Sequence, residues 1–256
     1  MKGALRREGV RLLEKTAIAR VDAAGAGVAV TLEDGERISG SHLLVAAGRL
    51  ANVDDLDLDR AGVAWDRKGV KTDARLRSSR RHIYVVGDVA GPLQFTHVAA
   101  QHAGIVLRNA LFRLPAKVDE RAVPWCTYTE PELASVGLSE AQARERFGED
   151  VVATRFDYAG NDRAQAERAT EGFVKVVSRR NGRVLGAAIV GRHAGELIQG
   201  WALPVAKGMK LSAVAGLVLA YPTLSEINKR AAGAFYAEKI FSDRVRGVVR
   251  FLLRLP

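Results

Sequence analysis

The stretch HIYVVGDVAG, residues 82–91, constrains the fold more than any other part of the sequence. Four consecutive β-forming residues, Ile83 to Val86, run without polar alternation into Gly87-Asp88 and stop at Gly91-Pro92. A short unbroken apolar run between turn residues is typical of a strand buried on both faces, as in a sheet covered by helices. We therefore predict an α/β fold with a buried strand that ends on the carboxylate of Asp88.

Composition excludes several classes of protein. The 256 residues suffice for one large domain or two small ones, and 48% hydrophobic content is ordinary for a globular protein. The net charge is +10, but acidic residues are interleaved throughout and no binding motif accompanies the charge, so we expect no nucleic-acid partner. A single cysteine, Cys126, favours a reducing compartment, and we recognise no signal peptide or long apolar span, so we expect a cytoplasmic protein.

Residues 1–49 predict a β-hairpin. The segments TAIARVDA and GVAVTLED both alternate and are joined by a glycine-rich turn. The turn, Gly25-Ala-Gly27, lacks a third glycine and is followed by a strand pattern where a dinucleotide fingerprint requires a helix. We conclude that it is not such a fingerprint.

Residues 50–115 contain a polar, loop-rich connector, the opening strand and a helical pattern from about His97 to Phe112. Residues 120–256 alternate strands, such as EGFVKVVS and RVLGAAIVG, with helices. In one helix Ser139 and Gln142 form a capping-box pattern, with Gly148 at the end. We expect a second helical stretch, AGELIQGWALPVAKG, to kink at Pro204.

A strand that ends in Gly87-Asp88 and is followed by a helix predicts a ligand site. Ligands of open α/β sheets lie at the carboxyl ends of the strands. Gly87 allows close backbone approach, Asp88 can accept hydrogen bonds from a diol, and the first amides of the helix can hold an electron-rich oxygen. The local sequence leaves a second interpretation open, in which Asp88 only caps a turn.

Six ordered motifs give the chain a family resemblance. They are LLVAAGRLAN, IYVVGDVAG, FTHVAAQHAG, PWCTYTEPELASVGLSE, DRAQAERATEGFVKVV and YPTLSEINKRAAG. Together they resemble the C-terminal portion of the flavin-dependent pyridine nucleotide–disulfide oxidoreductases, of the lipoamide dehydrogenase and mercuric reductase type. The resemblance implies the C-terminal part of a doubly wound FAD/NAD(P)-binding domain followed by an α+β interface domain. Residues 1–49 would end the NAD(P)-binding domain, 50–115 would complete the FAD-binding domain, and 120–256 would form the dimerisation domain of a homodimer.

The resemblance also assigns cofactor residues. Asp88 would bind the ribityl chain of FAD, and Phe95, Thr96 and His97 would lie by the flavin pyrimidine ring. Gly48 and Gly87 would belong to the same cofactor-binding set. The two glycine-rich fingerprints for FAD and NAD(P)H and the Cys-x4-Cys redox pair do not occur in the sequence. We expect them upstream of the first residue, in a half that can be supplied in trans, and we expect Cys126 to be a buried, inert thiol.

The segment AYPTLSE carries the catalytic candidates, Tyr221 and Glu226. The resemblance implies a histidine at position 221 that is paired with the glutamate and serves as acid–base for thiols. A phenol, with an ordinary pKa of about 10, is a poor proton shuttle at neutral pH. Tyrosine resembles the mercuric reductase branch, but the C-terminal cysteine pair of that branch is missing, since the sequence ends FLLRLP. Thr223 and Glu226 also form a capping-box pattern, which predicts a structural role for Glu226.

Two further features complete the pattern. The five histidines are scattered, so we expect no metal site. The tail SDRVRGVVRFLLRLP predicts an amphipathic helix with a valine and leucine face opposite Arg246, Arg250 and Arg254. That helix either docks on the dimer or lies on an anionic membrane.

Two functions follow. The first is a portion of an FAD-dependent NAD(P)H oxidoreductase that contributes part of the flavin site and the homodimer interface. The second is a non-catalytic dimerisation module that no longer binds flavin. The Gly87-Asp88 and Thr96-His97 elements favour the first, and the missing fingerprints favour the second.

Overall fold

Antiparallel ladders form every sheet in the described part of the chain. The computed structural model describes residues 1–255, without the side chains of Glu238, Lys239 and Arg244; Pro256, the last residue of the predicted tail, lies outside this description. Contacts divide the chain into two units. One is Arg11–Val118, and the other joins Met1–Val10, which holds helix α1 (Lys2–Arg7), to everything from Asp119 onward. The boundary between residues 1–49 and 50–115 stays a prediction.

The predicted hairpin is confirmed in the 11–118 unit. Strands β1 (Ile18–Ala24) and β2 (Gly27–Leu32) pair antiparallel, and β3 (Arg37–Gly40) extends the sheet in the order β1-β2-β3. Ala29 and Leu32 are the buried residues of β2; they lie three positions apart, so strict alternation alone does not put both on one face of the sheet. The chain then runs without regular structure to the connector, where two short strands, β4 (Trp65–Asp66) and β5 (Gly69–Val70), form a small hairpin. This connector has its own apolar cluster, formed by Ala51, Val53, Val63, Val70 and Val85.

The buried strand predicted at residues 82–91 is wrong for this chain. Tyr84 makes one isolated bridge to Arg77, Val85 is buried, and Val86 is 40% exposed. A strand buried on both faces requires a ladder on each side, and in the described residues only that single bridge is available. Residues Gly87–Ala90 form a 3-10 helix instead of ending a strand.

The helix predicted to follow is confirmed as α2 (Thr96–Ala110). Val98, His102 and Ile105 are its buried residues, at the spacing that places side chains on one helix face. The helix therefore has a fixed inner face, and Ile105, in its C-terminal half, belongs to an apolar cluster with Leu76 and Ala116.

The C-terminal unit is built on a five-stranded sheet in the order β6-β7-β10-β9-β8. The strands are β6 (Trp125–Thr127), β7 (Glu132–Gly137), β8 (Val151–Asp157), β9 (Phe173–Arg179) and β10 (Val184–Gly191). The helices are α3 (Glu140–Phe147), α4 (Asp162–Ala166), α5 (Ala194–Leu197), α6 (Gln199–Lys207), α7 (Leu211–Ala215), α8 (Glu226–Ile240) and α9 (Asp243–Leu252). The peptide bonds before Pro131 and Pro222 are cis.

The core of this unit lies between the sheet and helices α5 to α8. Its largest fully buried side chains include Trp201, Tyr158 and Ile189. The indole N–H of Trp201 donates to the Asn228 side-chain oxygen at 2.8 Å, and the Asn228 amide donates to the carbonyl of Leu197 at 2.9 Å. Both polar groups are therefore satisfied inside an apolar core, as burial requires.

Local predictions in this unit have mixed outcomes. The capping box of Ser139 and Gln142 and the helix end at Gly148 are confirmed. The helical stretch that follows His193, predicted to kink at Pro204, is interrupted at Ile198 instead. Helix α6 begins after this interruption and continues through Pro204 to Lys207. The tail forms α9, with the Ser242 hydroxyl accepting from the N–H of Val245, and Val248, Val249 and Leu252 of its apolar face are about half exposed. Its partner stays a prediction. Within residues 1–255, no helix combines the length and apolarity needed to cross a membrane.

Candidate functional site

Gly87 fixes the position of Asp88 beside helix α2. Its φ of +77° lies in the left-handed region, which glycine adopts without strain. The N–H of Gly87 donates to His102 Nδ1 at 3.3 Å, and a Cβ at this position would lie 3.4 Å from the side chain of Ala99. The 3-10 helix and α2 are therefore joined at the residue that precedes Asp88.

Arg49 orients the Asp88 carboxylate. Its guanidinium lies 3.4 Å from Asp88 Oδ2 and also donates to the backbone carbonyl of Gln94. Both side chains of the ion pair are about half exposed, so its contribution to stability is small. The bridge matters for geometry, because it links the carboxylate to the chain segment that enters α2.

The first turn of α2 brings three predicted site residues together. Phe95 is at the N-cap position and makes no side-chain capping bond, while Thr96 and His97 begin the helix and are exposed. The rings of Phe95 and His97 stack with centroids 5.1 Å apart and planes 12° apart. The amides of a first helical turn have no intrahelical partner and carry partial positive charge, so this turn can donate hydrogen bonds to an electron-rich ligand.

Gly48 precedes Arg49 in a segment without regular structure. It is exposed, has a φ of +106°, and no atom would lie within 4 Å of a Cβ placed there. Its backbone conformation thus favours glycine, although the surrounding space does not require it. Through Arg49, Gly48 is connected to the group formed by Asp88 and the start of α2.

The second predicted pair, Tyr221 and Glu226, lies in the C-terminal unit. The hydroxyl of Tyr221 donates to Asp162 Oδ2 at 2.9 Å, and this side-chain hydrogen bond is the main cause that raises the phenol pKa. Glu226 begins α8, and its Oε2 accepts from the Thr223 N–H at 3.5 Å. The Thr223 hydroxyl donates to the carbonyl of Ala220 at 2.8 Å, so the predicted capping box forms on its glutamate side only.

Sequence reasoning missed three residues that organise these groups: Arg49, His102 and Asp162. Each lies inside one of the six motifs, in LLVAAGRLAN, FTHVAAQHAG and DRAQAERATEGFVKVV. Only Arg49 carried a local signal, as the charged residue of a largely apolar motif. What the sequence did not show is the pairing, which joins residues far apart in the chain.

Cys126 is a half-buried thiol on β6. Its Sγ lies 4.0 Å from Glu132 Oε2, and burial, followed by the charges of Glu132 and Glu196, raises the thiol pKa. A raised pKa lowers the thiolate population and therefore the reactivity. Among residues 1–255, no three His, Cys, Asp or Glu side chains are grouped as a metal site would require.

A cavity and a groove in the C-terminal unit differ in whether they include a predicted site residue. The cavity, of about 740 Å³, is lined mainly by charged residues, among them the ion pair of Arg7 with Glu171 at 2.7 Å, and it contains none of the predicted site residues. The other, of about 620 Å³, is an open groove along α8 that includes Glu226, Lys229, Arg230 and Gly233. Glu226 thus lines an open groove that also includes the basic side chains of Lys229 and Arg230.

Comparison with known proteins identifies the class. The family described as "Pyridine nucleotide-disulphide oxidoreductase" matches residues 1–103, and its "dimerisation domain" matches residues 123–232. The chain belongs to the pyridine nucleotide–disulfide oxidoreductase family, as the motifs predicted. The fold class, an FAD/NAD(P)-binding part followed by a dimerisation domain, is confirmed.

Individual relatives and solved structures agree with this family assignment. The chain is 37% identical over 211 residues to a dihydrolipoyl dehydrogenase of Bacillus subtilis, covering 80% of this chain and 44% of the relative. The chain is 35% identical to the dihydrolipoyl dehydrogenase of Geobacillus stearothermophilus, covering 91% of this chain and 50% of the relative. LpdA from Mycobacterium tuberculosis superposes with a TM-score of 0.83 at 31% identity, covering 90% and 50%. The flavoprotein disulfide reductase RclA from Escherichia coli superposes with a TM-score of 0.83 at 28% sequence identity, over 91% of this chain and 54% of RclA. The chain spans about half the length of these relatives.

Proposed function

We propose that this chain supplies one edge of an FAD site and the homodimer interface of an NAD(P)H-dependent flavoprotein oxidoreductase. The observation that carries the proposal is the junction of Asp88 with the first turn of α2, held by the Gly87–His102 hydrogen bond. A pure interaction module has no need of an exposed carboxylate fixed beside unpartnered helix amides. The names of the matched relatives, dihydrolipoyl dehydrogenase and flavoprotein disulfide reductase, support the same class.

The residues present fit part of FAD. Asp88 is exposed and can accept hydrogen bonds from the ribityl hydroxyls, while the amides of Thr96 and His97 can donate to the electron-rich edge of the flavin ring. When bound, FAD would supply the hydride and electron chemistry. The residues that would hold its pyrophosphate, and most of those for NAD(P)H, match no motif of residues 1–256. We assign them to an upstream half, present in one polypeptide with this chain or supplied in trans.

The family matches support the domain division. We assign residues 1–49 to the end of the NAD(P)-binding domain, 50–115 to the FAD-binding domain and 120–256 to the dimerisation domain. The first two ranges fall largely inside the 1–103 match and the third contains the 123–232 match. Gly48 would then stand where the first domain passes into the second.

The homodimer would form through the C-terminal unit. Several large apolar side chains of this unit are exposed on the isolated chain, which is typical of surfaces that another subunit covers. They are Trp125, Tyr128, Leu203, Leu217 and Val218, the last of them 96% exposed. The apolar face of α9 belongs to the same proposal, with docking on the dimer favoured over an anionic membrane because the matched family brings a dimerisation domain.

Tyr221 and Glu226 would be the substrate-facing residues of this interface. With its pKa raised, the Tyr221 phenol stays protonated at neutral pH and is a hydrogen-bonding group rather than a general base. Reduction of small disulfides would lack the acid–base assistance that is typically worth about 10² to 10⁴-fold. We therefore expect slow turnover of lipoamide-type and glutathione-type disulfides beside normal reduction of the flavin.

The test uses the chain assembled with an upstream half that restores both fingerprints, for example the unmatched portion of the Geobacillus stearothermophilus relative. Rapid mixing with NADH or NADPH should reduce the flavin, while steady-state disulfide reduction stays slow and rises in Tyr221→His. Tyr221→Phe should leave flavin reduction unchanged. An assembled dimer that holds no flavin would replace this proposal with the non-catalytic module. Disulfide turnover as fast as flavin reduction would show that Tyr221 is no impediment.

A further inference from the structure

The carboxylate partner of Tyr221 in this chain is Asp162. The phenol oxygen lies 2.9 Å from Asp162 Oδ2, and since an ionised carboxylate only accepts hydrogen bonds, the hydroxyl is the donor. Tyr221 is 69% exposed, so packing alone does little to fix the direction of its hydroxyl. The hydrogen bond to Asp162 supplies that direction.

Asp162 is itself held by the start of α4. The preceding residue, Asn161, is buried, and its Oδ1 accepts from the Ala164 N–H at 2.9 Å as the helix N-cap. The amide of the same side chain donates to the carbonyl of Thr223 at 3.2 Å. Two hydrogen bonds from consecutive residues, Asn161 and Asp162, therefore tie the first turn of α4 to the loop that carries Tyr221.

Glu226 is not the hydrogen-bond partner of the phenol. Its Oε2 accepts from the Thr223 backbone N–H at the beginning of α8. The charged groups that act on the phenol are thus Asp162 from α4, by hydrogen bond and charge, and Glu226 from α8, by charge alone. Both disfavour the phenolate, and Asp162 is the larger influence.

We propose that Asp162 is the positioning residue of Tyr221, which directs the hydroxyl proton toward the Asp162 carboxylate and leaves the oxygen lone pairs to an incoming hydrogen-bond donor. The assignment rests on the proposed function, in which Tyr221 faces the substrate. A phenol whose proton is engaged in this way retains acceptor capacity. The substrate group it suits is a donor such as a thiol S–H, rather than a bare carboxylate or another acceptor.

The direct test follows the titration of Tyr221 by NMR in the 256-residue chain labelled at the tyrosine ζ-carbons, with Tyr221→Phe assigning the signal. In Asp162→Ala, which removes both acceptor and charge, the Tyr221 pKa should fall toward that of a free tyrosine. Asp162→Asn keeps an acceptor oxygen but removes the charge, so the Tyr221 pKa in this variant should lie between its values in Asp162→Ala and in the parent. The control is Asp157→Asn, at an exposed aspartate of the same unit that is paired with Arg155; the Tyr221 pKa in this variant should equal that of the parent. An unchanged Tyr221 titration in both Asp162 variants overturns the assignment.

This titration needs neither flavin nor substrate, so the proposed function can fail without affecting it. In the assembled flavoprotein, Asp162→Ala should raise KM for a dithiol substrate with flavin reduction by NAD(P)H unchanged. If the phenol pKa falls as expected while KM stays at the parent value, Asp162 holds the phenol but Tyr221 does not face the substrate. That outcome would contradict the substrate-facing site of the proposed function, while the hold of Asp162 on the phenol would stand. A far-UV circular dichroism spectrum equal to the parent's confirms that each variant is folded.

Discussion

Arg49 and Asp88 form an ion pair at 3.4 Å, and the same guanidinium donates to the carbonyl of Gln94, one residue before the N-cap of α2. Arg49, which follows the hairpin region, is thereby fixed to the 3-10 helix that carries Asp88 and to the segment that enters α2. We assign both of these elements to the flavin edge. The contact orients the carboxylate at the surface. It explains why an exposed aspartate can have a defined direction without burial.

The Arg49 contact should matter for geometry and hardly for stability. Arg49→Met keeps the aliphatic stem but removes the ion pair, and because exposed pairs contribute about 0 to 1 kcal/mol, the free energy of unfolding should change by less than about 1 kcal/mol. Urea unfolding followed by circular dichroism measures it. A loss of about 3 kcal/mol or more would mean that the pair is a structural element of the unit.

The homodimer prediction concerns Val218, which is 96% exposed on the single chain. Sedimentation of the parent at micromolar concentration should give a dimer, and Val218→Asp should raise its dissociation constant at least about tenfold, since a charge would be buried without a partner. Val45→Asp, at a 75% exposed valine of the other unit, is the control and should leave the dimer intact. A monomeric parent contradicts the interface, and an unaffected Val218→Asp dimer places it elsewhere.

The buried hydrogen bonds of Asn228 should be costly to remove. Asn228→Leu leaves the Trp201 indole N–H and the Leu197 carbonyl without these partners, and each unsatisfied buried group costs about 1 to 3 kcal/mol. We expect a destabilisation of about 2 to 6 kcal/mol in urea unfolding. Gln199→Leu, at an exposed position of α6, should stay within about 0.5 kcal/mol of the parent. Equal midpoints for the two variants would contradict the role of the buried network.

The Cys126 thiol should react slowly with alkylating reagents at mildly alkaline pH. Burial and then the Glu132 and Glu196 carboxylates raise its pKa, so less thiolate is present at a given pH than for a free cysteine. Glu132→Gln removes one charge but keeps an acceptor for the Gly195 N–H, which now lies 2.8 Å from Glu132 Oε2. The alkylation rate below the pKa should rise, because a lower pKa leaves more thiolate at a given pH. Mass spectrometry follows the single cysteine. A rate that does not change, or that falls, would mean that the Glu132 charge does not act on the thiol.

Local patterns predicted local structure well in this chain. Alternation around a glycine-rich turn is sufficient for the β1–β2 hairpin, and the capping residues around Ser139 mark the ends of α3, because these signals act over a few residues. The prediction of a strand at residues 82–86 was wrong because strand formation depends on partners that are distant in the sequence. The apolar composition of this stretch describes burial, but a strand forms only where neighbours supply a ladder, and here Tyr84 finds one bridge.

The site was predictable in part. Motif resemblance supplied Asp88, Thr96, His97 and Tyr221 as candidates, whose roles remain proposals. It did not supply their partners, because Arg49–Asp88 and Asp162–Tyr221 join residues 39 and 59 positions apart through loops with no periodic pattern. Such pairings depend on how the elements pack, and the sequence pattern of either partner carries no record of the other.

The central claim is that the Asp88 region is one edge of a flavin site, and flavin retention tests it most directly. The chain alone should bind FAD weakly or not at all, and assembly with an upstream half that carries the fingerprints should give a stoichiometric flavin absorbance after gel filtration. Asp88→Ala should lower the bound flavin in that assembly, while Asp157→Ala, at an aspartate also paired with an arginine, should leave it unchanged. Tight stoichiometric FAD on the 256-residue chain alone, or full retention in Asp88→Ala, would contradict the account.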